Sequence, residues 1–179
     1  MTKLSNKCIE THRLYLRDFK ESDFMAVHEY GSIPDFSQYE QWGPNTEPHS
    51  LNFILASIEK ATHIPRYEYE LAVILQSTGQ LIGSGHLARE TQESLVGNVG
   101  YAINPKFQNQ GYATEVARSL ITFGFINLNL LVIYATCDTR NIASFKVLEK
   151  CGMRKVGHTL GDRKIYGQIY DSFRYEIYR

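Results

Sequence analysis

Gln108-Asn-Gln-Gly-Tyr-Ala113 is the stretch that decides the fold, because it joins a strand-like segment to the most regular helical pattern in the chain. Small and apolar residues recur at helical spacing over residues 111–127 and form one continuous face: Ala113, Val116, Ala117, Leu120, Ile121 and Gly124. Glycine at 111 lets the backbone approach a ligand closely, and the first N–H groups of a helix lack partners and carry partial positive charge. The junction therefore suits phosphate groups, although a glycine-containing turn into a helix is more often only a turn.

The segments on either side of this junction alternate between strand-like and helical patterns, in the order β-α-α-β-β-β-α-β-α-β-β. The predicted elements are a strand at 13–17, a short helix from Phe24, an aromatic-rich loop at 31–48, a helix at 51–61, strands at 67–75, 81–88 and 95–103, a helix at 111–127, a strand at 130–137, a helix at 142–151 that stops at Gly152, and two strands within 153–179 around Gly161-Asp162. Hairpins followed by a strand–helix–strand unit imply an α/β fold (mixed α+β), with a mixed sheet and helices on both faces. We expect one domain over residues 1–179.

Composition excludes several classes of protein. Lys and Arg together number 19, as do Asp and Glu, so the formal net charge is zero, which argues against a general nucleic-acid binder. Cys8, Cys137 and Cys151 are widely spaced and odd in number, and the six histidines lack metal-ligand spacing, so we expect free thiols and no metal. The polar start of the chain predicts no signal peptide and no run predicts a membrane span, which together favour a cytoplasmic location.

Four stretches resemble the GNAT superfamily of acetyltransferases, closest to the branch that includes ribosomal-protein N-terminal (alanine/serine) acetyltransferases. The stretches are Glu10-Thr-His-Arg-Leu-Tyr-Leu-Arg17 with Asp23, Val99-Gly-Tyr-Ala-Ile-Asn-Pro105 leading into Gln108-Asn-Gln-Gly-Tyr-Ala-Thr-Glu115, Asn141-Ile-Ala-Ser144 followed by Val147-Leu-Glu-Lys-Cys-Gly-Met153, and Asp171 with Tyr175. The resemblance covers about 165 residues in the same order and implies acetyl-CoA as co-substrate.

The resemblance also implies where CoA binds. It implies a sheet of about seven strands with a splayed parallel pair, here residues 95–103 and 130–137, and pantetheine lying in the gap like an extra strand. Backbone groups near Tyr101 and Ile103 are then expected to meet pantetheine. Backbone N–H groups of a seven-residue run are expected to meet the pyrophosphate: Gln108, Asn109, Gln110, Gly111, Tyr112, Ala113 and Thr114.

Three residues of the following helix are further candidates. Asn141 and Ser144 are three apart and share a helical face. Taken alone, Asn141 reads as an N-cap, whereas the resemblance implies a contact with the cofactor. The resemblance places Ser144 near the thioester sulfur. Lys146 is a candidate for a cofactor phosphate, with a solvated lysine as the alternative.

The chain departs from the family at two positions that concern proton transfer. Many members carry a tyrosine seven residues after the asparagine, as general acid for the departing thiolate, and here that residue is Leu148. The related branch often has a glutamate where this chain has Asn98, which cannot usefully accept a proton. Ser144 and Asn98 are therefore the catalytic positions to examine. A base acting through water would have to come from elsewhere, and the candidates are Glu40, Glu90 and Glu93.

The resemblance implies an enzyme that moves acetyl from acetyl-CoA to a primary amine, with the oxyanion met by a backbone N–H near Ile103. A base-poor site favours a low-pKa acceptor such as the α-amine of a peptide N-terminus. The alternatives are a small-molecule amine (a polyamine, an amino acid or an aminoglycoside) and a non-catalytic acyl-CoA-binding module. We expect no nucleic-acid or membrane partner, and a monomer or a homodimer.

Overall fold

One mixed sheet runs through the protein and separates two layers of helices. The computed structural model describes residues 3–5 and 8–179. The sheet has nine strands in the order β1-β2-β3-β4-β5-β6-β7-β9-β8. The strands are β1 (Lys3–Ser5), β2 (Cys8–Glu10), β3 (Leu14–Asp18), β4 (Glu68–Leu75), β5 (Leu81–Arg89), β6 (Val96–Ile103), β7 (Val132–Asp138), β8 (Arg154–Ile165) and β9 (Gln168–Tyr178). Sequence reasoning expected about seven strands, and the two additional ones are β1 and β2, which have three residues each.

Every neighbouring pair of strands is antiparallel except β6 and β7, which are parallel. A parallel pair needs a crossover connection, and the helix between these two strands provides it. The helices are α1 (Phe24–Gly31), α2 (Glu47–Ala61), α3 (Tyr112–Asn127) and α4 (Ile142–Lys150). The mixed sheet with one parallel pair confirms the predicted fold class.

Alternate residues of each strand face opposite layers, so the sheet has two apolar cores. The larger core lies under α3 and α4, and includes Val99, Val116, Leu120 and Ile133. The smaller core lies under α1 and α2 and includes Val27, Ile54, Ala72 and Ile74. Within the described part of the chain, none of the helices is long and apolar enough to cross a membrane.

The closing hairpin differs from its predicted form. Its turn lies at Tyr166-Gly167, where both residues have positive φ values of 49° and 80°, rather than at Gly161-Asp162. The register of β8 against β9 shifts between Thr159 and Arg163, so Gly161 occupies a bulge. Glycine suits a bulge as well as a turn, because both need a backbone conformation that other residues rarely adopt.

The second helix also begins earlier than the pattern of apolar residues indicates. It starts at Glu47, inside the predicted 31–48 loop, because Thr46 caps it by accepting a hydrogen bond from the His49 N–H at 3.4 Å. Pro48 fits here because proline is tolerated in the first turn of a helix. Pro48 therefore lies in the first turn of α2 and not in the preceding loop.

Candidate active site

The parallel strands β6 and β7 form a fork. Their registered pairing covers only three residue pairs and ends where Asn98 lies opposite Tyr134. Beyond that point both strands continue, β6 to Ile103 and β7 to Asp138, each paired only with its outer neighbour. The inner edges of the two strands therefore separate towards their carboxyl ends, where α3 and α4 begin.

Backbone groups of β6 point into this gap at alternate residues. The carbonyl of Leu95 accepts from the Leu131 N–H at 2.8 Å, and the carbonyl of Ile103 accepts from Gln108 Nε2 at 3.0 Å. Both carbonyls thus face away from β5, whereas the Asn104 N–H bonds the Ile82 carbonyl on the β5 side. Because hydrogen-bonding direction alternates along a strand, the N–H and C=O of Tyr101 also face the gap. The gap can therefore accept an extended ligand as a further strand would be accepted.

Asn98 lies at the apex of the fork. Its Nδ2 donates to the Tyr134 carbonyl at 3.4 Å, across the last registered pair of the two strands. The side chain thus holds the strands together at the point where the ladder ends. Its amide has no basic atom for a proton at neutral pH, so this position offers positioning and not proton transfer.

The loop that leads into α3 has the backbone conformation expected of an anion-binding site. Asn109 and Gly111 both have positive φ, at 61° and 82°, on either side of Gln110. The N–H groups of Tyr112, Ala113 and Thr114 have no helical acceptor because they occupy the first turn of the helix. These groups lie beside the open end of the fork, and the helix dipole favours an anion there.

Arg13 supports this loop from the opposite end of the chain, a role that sequence reasoning missed. Its Nη1 donates to the Gln110 carbonyl at 2.9 Å and its guanidinium lies 4.4 Å from the centre of the Tyr112 ring. Its Nε donates to Glu115 at 2.8 Å, and the Thr11 hydroxyl donates to the same carboxylate at 2.7 Å. Arg13 and Glu115 fall inside the stretches that resemble the family, but 102 residues separate them and no local pattern pairs them.

The Glu115 carboxylate is held ionised by this network. Burial alone would raise its pKa, but hydrogen bonds from Thr11 and from the backbone and side chain of Arg13, with the charge of Arg13, outweigh burial and lower it. A carboxylate that accepts several hydrogen bonds in the folded state is stabilised in its charged form. The first turn of α3 is thereby tied to β3.

Three polar groups meet across the open end of the fork on the α3–α4 side. Tyr101 of β6 donates its hydroxyl to the Ser144 carbonyl at 3.0 Å, and the two hydroxyl oxygens are 3.3 Å apart. Burial raises the pKa of the Cys137 thiol of β7 to about 11, against smaller lowering by the charge of Arg163 and a hydrogen bond from Ser144. Burial also raises the pKa of Tyr101 far above its usual range. All three groups therefore keep their protons at neutral pH and can act as hydrogen-bond donors.

The other candidate positions at α4 are a helix cap, an exposed lysine and a buried leucine. Asn141 caps the helix, since its Oδ1 accepts from the Ser144 N–H at 3.0 Å, which is the role that its sequence context predicts unaided. Lys146 is exposed. Leu148 is 1% exposed and belongs to the larger core, so the position where many relatives carry a tyrosine acid packs as an ordinary apolar residue here.

Among the three glutamates considered as bases, only Glu40 lies at the open end of the fork. Burial raises its pKa, and the positive charge of Arg163 partly offsets that rise. Its negative charge also makes a small contribution to the raised pKa of Tyr101, after burial. Glu90 and Glu93 are exposed and belong to the connection that leads into the amino-terminal end of β6.

The loop that carries Glu40 is pinned by the closing hairpin. Arg163 of β8 donates to the Tyr39 carbonyl at 3.1 Å and to Glu40 at 3.2 Å. Near the tip of the hairpin, Tyr166 Oη lies 3.2 Å from Ser37 Oγ. The 31–48 loop and the β8–β9 hairpin thus meet and form one wall beside the fork. Over residues 3–5 and 8–179, no group of three or more His, Cys, Asp or Glu side chains is arranged to hold a metal ion.

The fork, the loop at the start of α3 and the wall beside them define a CoA-dependent acyltransferase of the GNAT type. The family model described as "Acetyltransferase (GNAT) domain" matches residues 13–154. The chain therefore belongs to the GNAT acetyltransferase family. It is 35% identical over 153 residues to the "Uncharacterized N-acetyltransferase YnaD" of Bacillus subtilis, covering 83% of this chain and 84% of that protein.

Other relatives and solved structures agree with this assignment. The Spermidine N(1)-acetyltransferase of Escherichia coli K12 is 24% identical over 175 residues, covering 94% of this chain and 87% of that protein. A GNAT-family acetyltransferase from Bacillus anthracis superposes with a TM-score of 0.85 at 32% identity, covering 96% and 98% of the two chains. A RimL ribosomal L7/L12 α-N-protein acetyltransferase in complex with CoA superposes with a TM-score of 0.84 at 19% identity, covering 96% and 98%. The protein is an acetyl-CoA-dependent N-acetyltransferase.

Proposed function

We propose that this acetyltransferase acts on the α-amino group of a peptide or protein N-terminus. The observation that carries the proposal is the pairing of charge along the fork, on the face of the sheet that α1 and α2 cover. Three carboxylates on the α1–α2 side are each bound by an arginine at 2.8–3.2 Å: Glu40 by Arg163, Asp138 by Arg140 and Glu176 by Arg174.

These three pairs therefore add no net negative charge to the acceptor side of the sheet, the face that α1 and α2 cover. A polyamine carries several positive charges at neutral pH, and its recognition needs carboxylates that are free to pair with them. The arginines that already occupy these carboxylates would repel such a substrate. An N-terminal amine brings a single charge, which it must lose before it reacts.

The cost of losing that charge also favours an α-amine. At pH 7, deprotonation costs about 1 kcal/mol for an α-amine of pKa near 7.8 and about 4.6 kcal/mol for a lysine-type amine of pKa near 10.4. The neutral fraction of the α-amine is therefore about 300-fold larger. Asn98 and Leu148 supply neither a base nor an acid at the two positions where relatives carry them. Wherever the proton goes, the amine must be neutral when it attacks, so an acceptor that is easy to deprotonate has the smaller free-energy cost.

The proposal assigns the candidate residues as follows. Pantetheine lies in the gap along Tyr101 and Ile103, and the pyrophosphate lies on the backbone N–H groups at the start of α3. The Ile103 N–H, which faces the gap, meets the oxyanion. The Ser144 hydroxyl donates to the departing thiolate, with Tyr101 behind it. Asn141, besides capping α4, contacts the cofactor, and Lys146 reaches towards a phosphate.

The 31–48 loop supplies a surface for an extended peptide. Trp42 is 42% exposed and packs edge-on against Phe36, with ring centres 5.9 Å apart. Tyr39 is half-buried beside Arg140, whose guanidinium lies 5.5 Å from the ring centre. Aromatic rings held in this way present apolar area at little cost in conformational entropy.

The similarity to spermidine acetyltransferase makes a polyamine the second candidate. The deciding experiment measures thiol release with acetyl-CoA and three acceptors: a short peptide with a free N-terminus, the same peptide blocked there but containing lysine, and spermidine. We expect the highest kcat/KM for the free N-terminus at pH 7. A higher value for spermidine would overturn the proposed acceptor and leave the acetyltransferase assignment intact.

A further inference from the structure

A histidine–glutamate pair lies one strand away from the fork, on the acceptor side of the sheet. Glu70 of β4 and His86 of β5 are direct cross-strand partners, and Nδ1 of His86 is hydrogen-bonded to the Glu70 carboxylate. His86 in turn lies opposite Gly100 of β6, the strand that forms one edge of the fork. The His86 side chain is 27% exposed, so solvent and a substrate can reach it.

The contact with Glu70 fixes how the imidazole is oriented. An ionised carboxylate only accepts hydrogen bonds, so Nδ1 carries the proton and Nε2 carries the free electron pair. The two ring nitrogens flank Cε1 and point their hydrogen bonds in different directions. Because Nδ1 is engaged by Glu70 of β4, Nε2 is left to bond a group that comes from elsewhere on this face of the sheet.

Gly100 leaves room between this nitrogen and the fork. Apart from Gly100 itself and its two chain neighbours, a Cβ added at Gly100 would come within 4 Å of one atom among the described residues, the Cβ of His86 at 3.6 Å. The surface above Gly100 is otherwise open on the acceptor side. Asn98, which stands where relatives often carry a base, lies two residues along on the same face of β6.

The spacing of the strands would allow His86 to share a proton with an amine bound at the fork. Neighbouring strands are about 4.8 Å apart, so a ligand lying in the gap as an added strand would be about 10 Å from the backbone of β5. The His86 imidazole extends over part of that distance. An amine lying above Gly100 would be within hydrogen-bonding reach of the imidazole, either directly or through one water molecule. A base at His86 would take the place, from the neighbouring strand, of the glutamate that is missing at position 98.

We infer that His86 is the general base of the acetyl transfer and that Glu70 is its positioning residue, an inference that rests on the proposed function. As the amine nitrogen bonds to the acetyl carbonyl carbon, Nε2 of His86 takes the proton from that nitrogen. The carbon–sulfur bond then breaks, and its electron pair leaves with the CoA thiolate. The imidazolium formed is stabilised by Glu70 and returns its proton to the thiolate or to solvent.

Other titratable groups around the pair come from the helix packed over it. Tyr30 of α1 is buried, which raises its pKa far above the usual range, and the charge of Glu70 contributes to that rise. Tyr30 therefore stays neutral over the working range of the enzyme. Glu70 is the charged group that is hydrogen-bonded to the imidazole.

The test compares the wild-type enzyme with His86→Gln and with the matched control His28→Gln. His28 contacts Ser50 Oγ at 3.1 Å between α1 and α2, away from the fork, so its variant should keep the wild-type kcat. His86→Gln should lower kcat by about 100-fold or more, with calorimetric affinity for CoA unchanged, because general bases contribute about 10²–10⁴-fold. Wild-type kcat from His86→Gln overturns the inference.

The pH profile separates a base from a structural residue. With two acceptors of different amine pKa, the acid limb of kcat should fall at the same pH for the wild-type enzyme. In His86→Gln, the pH at which kcat falls should change with the pKa of the acceptor amine. A wild-type limb that follows the acceptor overturns the inference, and this comparison can use whichever amines the enzyme accepts, so it does not depend on the peptide preference.

A second variant keeps the inference testable if His86→Gln does not fold. Gly100→Ala adds a methyl group at an ordinary contact distance from His86, with no strained backbone, so folding and CoA affinity should be retained. It occupies the space assigned to the amine, and kcat/KM for the acceptor should fall about tenfold or more. An unchanged kcat/KM shows that the amine does not pass above Gly100 and overturns the inference.

Discussion

Replacement of Gly111 separates backbone strain from ligand binding at the start of α3. Gly111 has φ +82°, and a Cβ added there would meet Arg13 Nη2 at 3.4 Å, an acceptable contact with the end of a flexible side chain. Gly79, in the hairpin between β4 and β5, has φ +71° and no described atom within 4 Å of an added Cβ. The two glycines therefore share the same conformational demand, and only one lies at the proposed pyrophosphate site.

The magnitudes follow from this comparison. Alanine in a left-handed conformation costs about 1–2 kcal/mol, so Gly111→Ala and Gly79→Ala should each lower the melting temperature by about 2–8 °C for a chain of this size. Gly111→Asp adds a negative charge beside the pyrophosphate. Taking two phosphate charges at about 5 Å in water, the repulsion is about 1.7 kcal/mol, which weakens CoA binding roughly 15-fold or more.

Calorimetric titration with CoA and thermal unfolding are measured on the four variants Gly111→Ala, Gly111→Asp, Gly79→Ala and Gly79→Asp. We expect all four to lose stability and only the two Gly111 variants to lose CoA affinity, Gly111→Asp more than Gly111→Ala. If Gly111→Asp binds CoA as tightly as Gly79→Asp does, the pyrophosphate does not lie on this loop.

The start of α4 and the Arg13–Glu115 pair support three more predictions. Asn141→Asp keeps the helix cap, because Asp caps as well as Asn, so melting should change little while CoA affinity falls; unchanged affinity leaves Asn141 with capping alone. Ser144→Ala should lower kcat more than CoA affinity, and equal turnover removes the hydroxyl from the mechanism. The lowered pKa of Glu115 gives stability that is complete above its ordinary value of 4.5 and is lost as pH falls through the lower folded value. Glu115→Gln should therefore flatten the melting temperature against pH below about 4.5, and an unchanged slope there contradicts this linkage.

The sequence predicts helices and hairpins well where the signal is local. The face formed by Val116, Leu120 and Gly124 repeats at helical spacing, and α3 follows it. In the closing hairpin the local signal is ambiguous, because Gly161 and Gly167 both have positive φ. Only the pairing of β8 with β9 shows which glycine occupies a bulge and which a turn.

The candidate site depends more on long-range pairing, which local patterns do not contain. The fork was expected from the family resemblance and not from periodicity. Counting back from the hairpin turn places Glu70 opposite Gly85, but a register shift between Val73 and Ile74 moves it opposite His86. Because of this single bulge, a sequence analysis that assumes a regular hairpin does not predict the histidine–glutamate pair.

The separated edges of β6 and β7 have a consequence for the lifetime of the protein as well as for its chemistry. An unpaired strand edge is a template for pairing with another chain, and here two such edges lie within the sheet. CoA binds the folded chain, so its concentration shifts the folding equilibrium, and at 100 times the dissociation constant the gain is about 2.7 kcal/mol. Bound CoA should therefore raise the melting temperature of the enzyme, and the ligand-free form is the one in which these two edges are left unpaired.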